Sequence, residues 1–296
     1  MRVLIFGGFG MLGHKLCQVF RDRFETWATV RSTNPEHDSY GFLDPMRLVV
    51  GVDALSVETV AQALATVRPN AVINGIGIIK QLPTAHDPLV SLQVNSLFPH
   101  RLGLLCQEVG ARVIHISTDC VFSGHKGMYT EDDVPDPEDL YGRSKLLGEV
   151  SGSHCLTLRT SFIGRELVYS HGLVEWFLSN RGRRIQGYTG AIFNGFPTLI
   201  LAQILADVID RRSDLSGVYH VSTEPISKYR LLCLLREAFQ VPVEIEPFPD
   251  VSVDRSLDST RFRAVTGFVP LSWEEMVQTM ANDPTPYDVW RQARAF

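Results

Sequence analysis

A doubly wound parallel α/β sheet, followed by a smaller α/β region, is the fold this sequence predicts. Three observations carry the prediction. Short β-branched runs alternate with amphipathic stretches over the first 160 residues, glycines follow the first run at once, and the alternation loosens after about residue 160. Strands are expected at "RVLIF" (2–6), "TWATV" (26–30), "LVVGVD" (48–53), "NAVIN" (70–74), "RVIHIS" (112–117) and "CLTLR" (155–159). Helical patterns fall between them near 11–22, 56–67, 87–109 and 139–151. "RPNAVIN" and "GARVIHIS" each set a turn residue before a near-continuous apolar run, as a central strand buried on both faces requires. Beyond 160, "LVEWFLSN" and "FPTLILAQILADVIDRR" read as helices, "GVYHVS" as a strand, "SKYRLLCLLREAF" as a helix capped by Ser227, and "VPVEIEPFPD" as strand-like. No repeat and no Gly/Ser linker separates the halves. Residues 1–160 are therefore expected to form a dinucleotide-binding domain and 161–296 mainly a substrate-binding region, some of whose elements return to the first sheet. A ligand cleft between the halves is the natural consequence.

Composition narrows the function. With 45% hydrophobic and 21% charged residues the chain is an ordinary globular one, and 296 residues suffice for a large core. A net charge of −5 argues against nucleic-acid or anionic-membrane binding, either of which favours a basic field. It leaves room for a small phosphate ligand held by backbone amides and a few cations. Five cysteines, odd in number and without a C-x-x-C, speak against a disulfide framework or a zinc site and for a reducing cytoplasm. No targeting segment is visible, and "PTLILAQILADVI" is interrupted by Gln203 and Asp207.

"GGFGMLG" runs from the end of the first strand into the first helix. Gly7, Gly10 and Gly13 fit G-x-x-G-x-x-G, and Gly8 offers the alternative G-x-G-x-x-G with Gly10 and Gly13. Such a turn needs tight curvature, backbone close to a pyrophosphate, and close helix-on-strand packing. The Rossmann-like reading makes Gly7, Gly10, Met11, Leu12 and Gly13 the cofactor turn. The second strand ends in Arg31-Ser32, with no Asp or Glu between Glu25 and Glu36. A guanidinium there suits a 2′-phosphate, so NADPH is favoured, with NADH as the alternative and a solvated arginine as the plain one. Asp53 could meet the adenine amino group or cap a turn. Gly75 and Gly77 in "NGIG" could let backbone approach the cofactor or serve packing.

Lysine occurs only at positions 15, 80, 126, 145 and 228, and one of these lies four residues after Tyr141 in "YGRSK". On a helix, Tyr141 and Lys145 share a face. A phenol near its usual pKa of about 10 is a poor acid–base catalyst at neutral pH, and an adjacent ammonium is expected to draw it down. Thr118, in "ISTDCVFSG" after the fifth strand, could donate a hydrogen bond to an oxygen that Tyr141 also touches. A turn residue is the alternative.

At this point the chain resembles an extended short-chain dehydrogenase/reductase, and within that superfamily the dTDP-4-dehydrorhamnose reductase family. The matching segments are "GGFGMLG", "PNAVIN", "VNSLFP", "ISTDCVFSG", "YGRSKLLGE", "LTLRTSFIG", "FNGFPT", "GVYHVS" and "SLDSTRFRAVTGFVP", in order along nearly the whole chain. The resemblance implies Thr118, Tyr141 and Lys145 as the catalytic set, with Asn95 near the site. It implies a nucleotide-sugar pocket lined by Arg159, Asn194 and Arg255, and a reaction in which a 4-keto sugar takes a hydride from the nicotinamide and a proton from Tyr141. A homodimer is left open.

Two positions depart from the family pattern. Cys120 stands where an aromatic usually follows the Thr-Asp pair, and Phe162 where a tryptophan is usual; both are expected near the sugar. The absence of a glutamate at 120 argues against a 4,6-dehydratase. In GDP-fucose synthase relatives, which epimerise before reducing, a cysteine stands here and a histidine precedes a later helix, as His171 does in "SHGLVEWF". Cys120 and His171 could thus be an acid–base pair, or a pocket filler and a surface histidine. Some relatives use the same fold and cofactor as a regulatory subunit, a non-catalytic alternative.

Overall fold

A computed structural model describes residues 1–32, 40–168 and 170–292. The first half runs β1 (Arg2–Phe6), α1 (Gly13–Phe20), β2 (Glu25–Val30), β3 (Leu48–Val50), α2 (Val57–Val67), β4 (Ala71–Asn74), α3 (Pro88–Leu92), α4 (Phe98–Glu108), β5 (Arg112–Thr118), α5 (Leu140–Leu147) and β6 (Cys155–Thr160). The second half adds β7 (Phe162–Ile163), α6 (Leu173–Ser179), β8 (Arg184–Phe193), β9 (Phe196–Pro197), α7 (Thr198–Arg211), β10 (Gly217–His220), β11 (Ile226–Ser227), α8 (Lys228–Phe239), β12 (Glu244–Asp254), α9 (Thr260–Thr266), α10 (Trp273–Ala281) and α11 (Tyr287–Gln292).

Seven strands form one sheet in the order β10-β6-β5-β4-β1-β2-β3, and every neighbouring pair is parallel. The apolar run of β1 explains its central place. Val3 and Ile5 enter one hydrophobic cluster with Leu16 and Phe20 of α1 and much of α7, while Leu4 and Phe6 enter a second with α2 and α4. All four are fully buried, which only a strand covered on both faces allows. The chain reverses direction across the sheet between β1 and β4, and a crevice opens at the carboxyl ends of those strands.

The sheet is not finished by the first half: β10 adds the edge beside β6, with Gly217–His220 in register with Leu156–Arg159. Residues 184–254 contribute a second, three-stranded sheet, β11-β8-β12. β12 is an edge strand, and its register against β8 shifts between Phe248 and Ser252, just past Pro247 and Pro249. Prolines lack the ladder N–H, so an edge with a bulge is where such a strand fits.

Several boundaries differ from expectation. The single helix expected over 87–109 is α3, a π-helical turn at Gln93–Leu97, and α4. Strand β3 ends at Val50, because Gly51 takes φ +82°, a left-handed value that breaks the ladder. β8, α9, α10 and α11 were not anticipated. The end of the chain closes on its beginning. His14 donates from Nδ1 to the Gly10 carbonyl at 2.9 Å and accepts the Tyr287 hydroxyl at Nε2 at 2.7 Å. Burial holds this imidazole neutral, its pKa pulled down to about 3. Beside it the buried Lys15 ammonium pairs with Asp283. No described helix is long and apolar enough to cross a membrane.

Candidate active site

The glycine turn sits at the head of α1. Gly7 adopts φ +85°, Gly10 N–H donates to the Gly7 carbonyl at 3.1 Å, and a Cβ on Gly13 would run into that same carbonyl. The turn is therefore as tight as a pyrophosphate cradle demands, and the residues fit a dinucleotide. Met11 lines the cleft, whereas the Leu12 side chain is in the core. Arg31 and Ser32 lie exposed just past β2. Gly75 N–H bonds the Phe6 carbonyl at 3.1 Å, and a Cβ there would crowd that oxygen, so this loop hugs the end of β1. Gly77 lies against the Asn95 amide. Asp53 acts as a turn cap: its Oδ1 accepts Leu55 N–H at 2.9 Å.

A cleft of about 470 Å³ opens from this end of the sheet toward the second half. Thr118, Cys120 and Tyr141 from the first half face Phe162, His171 and Arg255 from the second across it. Asp139 caps α5 by accepting Gly142 N–H at 2.8 Å. Gly142 is the only residue that fits there, since a Cβ would strike the Cys120 carbonyl. Those two contacts fix where Tyr141 points. The Thr118 hydroxyl lines the cleft beside the phenol; it donates to Asp119 Oδ1 at 3.0 Å and accepts Cys120 N–H at 3.2 Å.

The electrostatics differ from expectation. The Tyr141 phenol is pushed well above the usual tyrosine range, chiefly by burial and then by neighbouring Cys120, with Thr118 opposing. The lowering expected from Lys145 is absent because that ammonium is turned to the Ile116 carbonyl at 2.7 Å, with His115 Nε2 3.5 Å away. Burial brings Lys145 itself down to about 8, against the pull of Glu149. Burial first, and the Asp119 charge next, push the Cys120 thiol up to about 11, so it is a thiol and not a thiolate at neutral pH. Burial also raises Asp119.

Three expected residues play other parts. Asn95 is buried in the π-helical turn, where its amide bonds the Ile78 backbone at 2.8 and 3.0 Å and Ser144 Oγ at 3.1 Å. It ties the loop after β4 to α5 and does not line the cleft. Asn194 is a strut: it bonds Leu257 N–H and the Thr223 and Leu257 carbonyls, which occupies both ends of its amide. Arg159 is not a pocket wall. It forks onto Glu149 with two bonds of 2.8 Å and meets His220 Nε2 at 3.3 Å, a buried network behind the sheet's end.

The cleft also contains residues the sequence reading missed: Lys80, Asp119, Trp176, Phe193 and Lys228. Lys80 lies in a loop without periodicity. Its signal was its rarity, the same signal that singled out Lys145. Trp176 lies in the middle of α6 and Lys228 opens α8, and only the tertiary fold brings them to one wall.

Known proteins share this fold. The model of the RmlD substrate binding domain family matches residues 1–285. The chain is 26% identical over 273 residues to methionine adenosyltransferase 2 subunit beta of Mus musculus, covering 85% of this chain and 76% of that one. It is 25% identical over 307 residues to dTDP-4-dehydrorhamnose reductase of Aggregatibacter actinomycetemcomitans, covering 94% and 98%. The crystal structure of dTDP-4-dehydrorhamnose reductase from Bacillus anthracis in complex with NADP shares the fold with a TM-score of 0.77 at 22% identity, over 94% of this chain and 98% of that one. The chain belongs to the RmlD substrate binding domain family.

Proposed function

We propose that this protein is an NADPH-preferring reductase of the 4-keto group of a nucleotide-linked 4-keto-6-deoxy sugar, with NADH as a weaker substitute. One observation carries the reading: the cleft that begins at the glycine turn holds Thr118 and Tyr141 together with two cationic side chains from the second half, Lys228 and Arg255. A neutral reacting sugar would need only the first pair; a diphosphate on the same molecule explains cations along the wall. The glycine turn from Gly7 to Gly13 would hold the cofactor's pyrophosphate, and Arg31 with Ser32 its 2′-phosphate. The bound cofactor supplies the hydride.

The chain's own residues do the rest. Thr118 orients the carbonyl oxygen by hydrogen bonding, and Tyr141 gives that oxygen its phenolic proton as negative charge develops there. Lys145, fixed on the Ile116 carbonyl, lies one helical turn behind the phenol. Lys228 and Arg255 neutralise the diphosphate, and Trp176, 39% exposed, offers a flat face to a base. The test is NADPH oxidation against dTDP-, GDP-, UDP- and CDP-linked 4-keto-6-deoxyhexoses, with Tyr141→Phe alongside. Oxidation with one nucleotide, abolished in the variant, supports the reading; no oxidation with any of them sinks it for these substrates.

A second reading is favoured by the similarity to methionine adenosyltransferase 2 subunit beta: a cofactor-binding regulatory subunit. It predicts tight NADPH binding without substrate-dependent oxidation. The epimerase–reductase variant is supported by Cys120 and His171 lining the same cleft. The raised Cys120 thiol weighs against its serving as the base, and deuterium uptake from solvent next to the product hydroxyl would reveal the exchange.

A further inference from the structure

We propose that Lys80 is a second cation for the Tyr141 phenol, a positioning residue that stabilises the phenolate left when the proton is given to substrate. The proposal rests on the catalytic reading above. Lys80 closes the loop that follows β4. Its ammonium bonds Asp139 Oδ2 at 2.6 Å, and the other oxygen of that carboxylate caps the helix bearing Tyr141. From there Nζ stands 5.5 Å from the centroid of the Tyr141 ring. The loop is bound to α5 a second time through Asn95, which bridges the Ile78 backbone and Ser144. Cofactor loop and proton donor thus move as one piece, with Lys80 held over the ring.

Charge explains why a second cation matters. The groups facing the phenol are Cys120, Asp119 and Thr118 after β5, Asp139 at the head of α5, and Lys80, while Lys145 of α5 is turned to the Ile116 carbonyl; Arg255, whose Nε bonds the Phe122 carbonyl at 2.8 Å, and His171 complete the cleft wall. Burial and the Asp119 and Asp139 carboxylates work against a phenolate, and Cys120 joins them only once its thiol ionises near pH 11. Lys145 is a weak counterweight, since burial leaves it only part-charged near pH 8. Lys80 behaves oppositely. Burial disfavours its charge, but Cys120 and Asp139 outweigh burial and hold the ammonium above the ordinary lysine range. It is therefore the lysine that stays charged over the whole working pH range. A cation over a ring attracts a phenolate more than a phenol, because a full charge is added to the ring quadrupole. An opposite charge at this distance moves a pKa by about 1 to 3 units, and sharing Lys80 with Asp139 sets the expectation at the lower end.

The test uses the full chain, with and without NADP, its tyrosines replaced by 3,5-difluorotyrosine so that the phenols ionise where the fold survives. The Tyr141 fluorine signal is identified by its loss in Tyr141→Phe. The titration is read with Asp139 in place, since Asp139 holds Lys80 over the ring, and Lys80→Met with Asp139→Asn serves as the control for the carboxylate left unpaired. With Asp139 in place Lys80→Met should raise the pH at which the Tyr141 signal titrates by about one unit or more, the double variant should keep part of that rise, and Lys80→Arg should leave the titration in place. An unchanged titration in Lys80→Met overturns the proposal, whether or not the protein turns over any substrate. In the otherwise native chain, kcat of Lys80→Met should fall about tenfold, with KM within about twofold. A raised KM at unchanged kcat would overturn the proposal by making Lys80 a substrate anchor. If the wild type oxidises NADPH with no nucleotide sugar, the catalytic reading fails separately, and the fluorine titration still decides the role of Lys80.

Discussion

Two buried lysines mark two regions of the molecule, and their surroundings are opposites. Lys15, on α1, is 2% exposed and Lys145, on α5, 5%. Lys15 pairs with the Asp283 carboxylate and also bonds Gln18 Oε1 at 2.7 Å and Thr285 Oγ1 at 2.8 Å. Lys145 has a carbonyl and an imidazole for neighbours, because the nearby carboxylate, Glu149, is already engaged by Arg159 and Ser117. Burial lowers the pKa of both. Where a carboxylate answers, the charge is locked and the pair is architecture. Where only dipoles answer, the charge stays adjustable, which is what proton chemistry needs.

The sharpest break in that contrast is Lys145→Met. It should lower kcat by a factor of about 10² to 10⁴ while leaving the urea unfolding midpoint at neutral pH unharmed. Retained turnover would make Lys145 as structural as Lys15. Next in size, Lys15→Met leaves Asp283 buried without a partner and should cost about 3 to 5 kcal/mol in urea unfolding, with activity per folded molecule kept. Lys15→Met combined with Asp283→Leu should recover most of that loss.

A smaller effect sharpens the contrast by pH. The folded pKa of Lys145, about 8, lies below the unfolded value of about 10.4, so between them the unfolded chain binds more protons and stability rises with pH. Relative to Lys145→Met, the wild type should gain about 3 kcal/mol from pH 8 to about 10.4. A flat difference would mean that Lys145 is not titrating there. The smallest effect belongs to Lys126, half-exposed and paired with Asp133. Lys126→Ala should leave the unfolding midpoint where it stands, and a clear drop would show that exposure is a poor guide to these pairs.

Legibility follows the same divide. The glycine turn, Thr118 and the Tyr141–Lys145 spacing are local patterns on a strand-turn-helix frame, so each could be read from a few neighbouring residues. The fold was readable for the same reason: β1, β4 and β5 are apolar runs with no competing periodicity. Arg159 and Asn194 were assigned to a pocket because a polar residue near a strand end looks the same whether it faces a ligand or Glu149. The far wall was legible only in part. Phe162, His171 and Arg255 were named through the family resemblance and do line it, whereas Lys80, Trp176 and Lys228 come from three separate elements whose meeting is a non-local fact. The run 241–250 was legible as strand-like, but its continuation past Pro249 to Asp254, which carries Arg255 to the cleft, was not.

The bond between Tyr287 and His14 joins residues 273 positions apart. His14 in turn holds the carbonyl of Gly10. During synthesis at about 5 to 20 residues per second, the glycine turn would wait roughly 15 to 55 s between leaving the ribosome and receiving this last tether. The nascent chain can therefore lay down β1, β2 and β4 early, while the dinucleotide cradle acquires its final shape only as one of the last helices arrives.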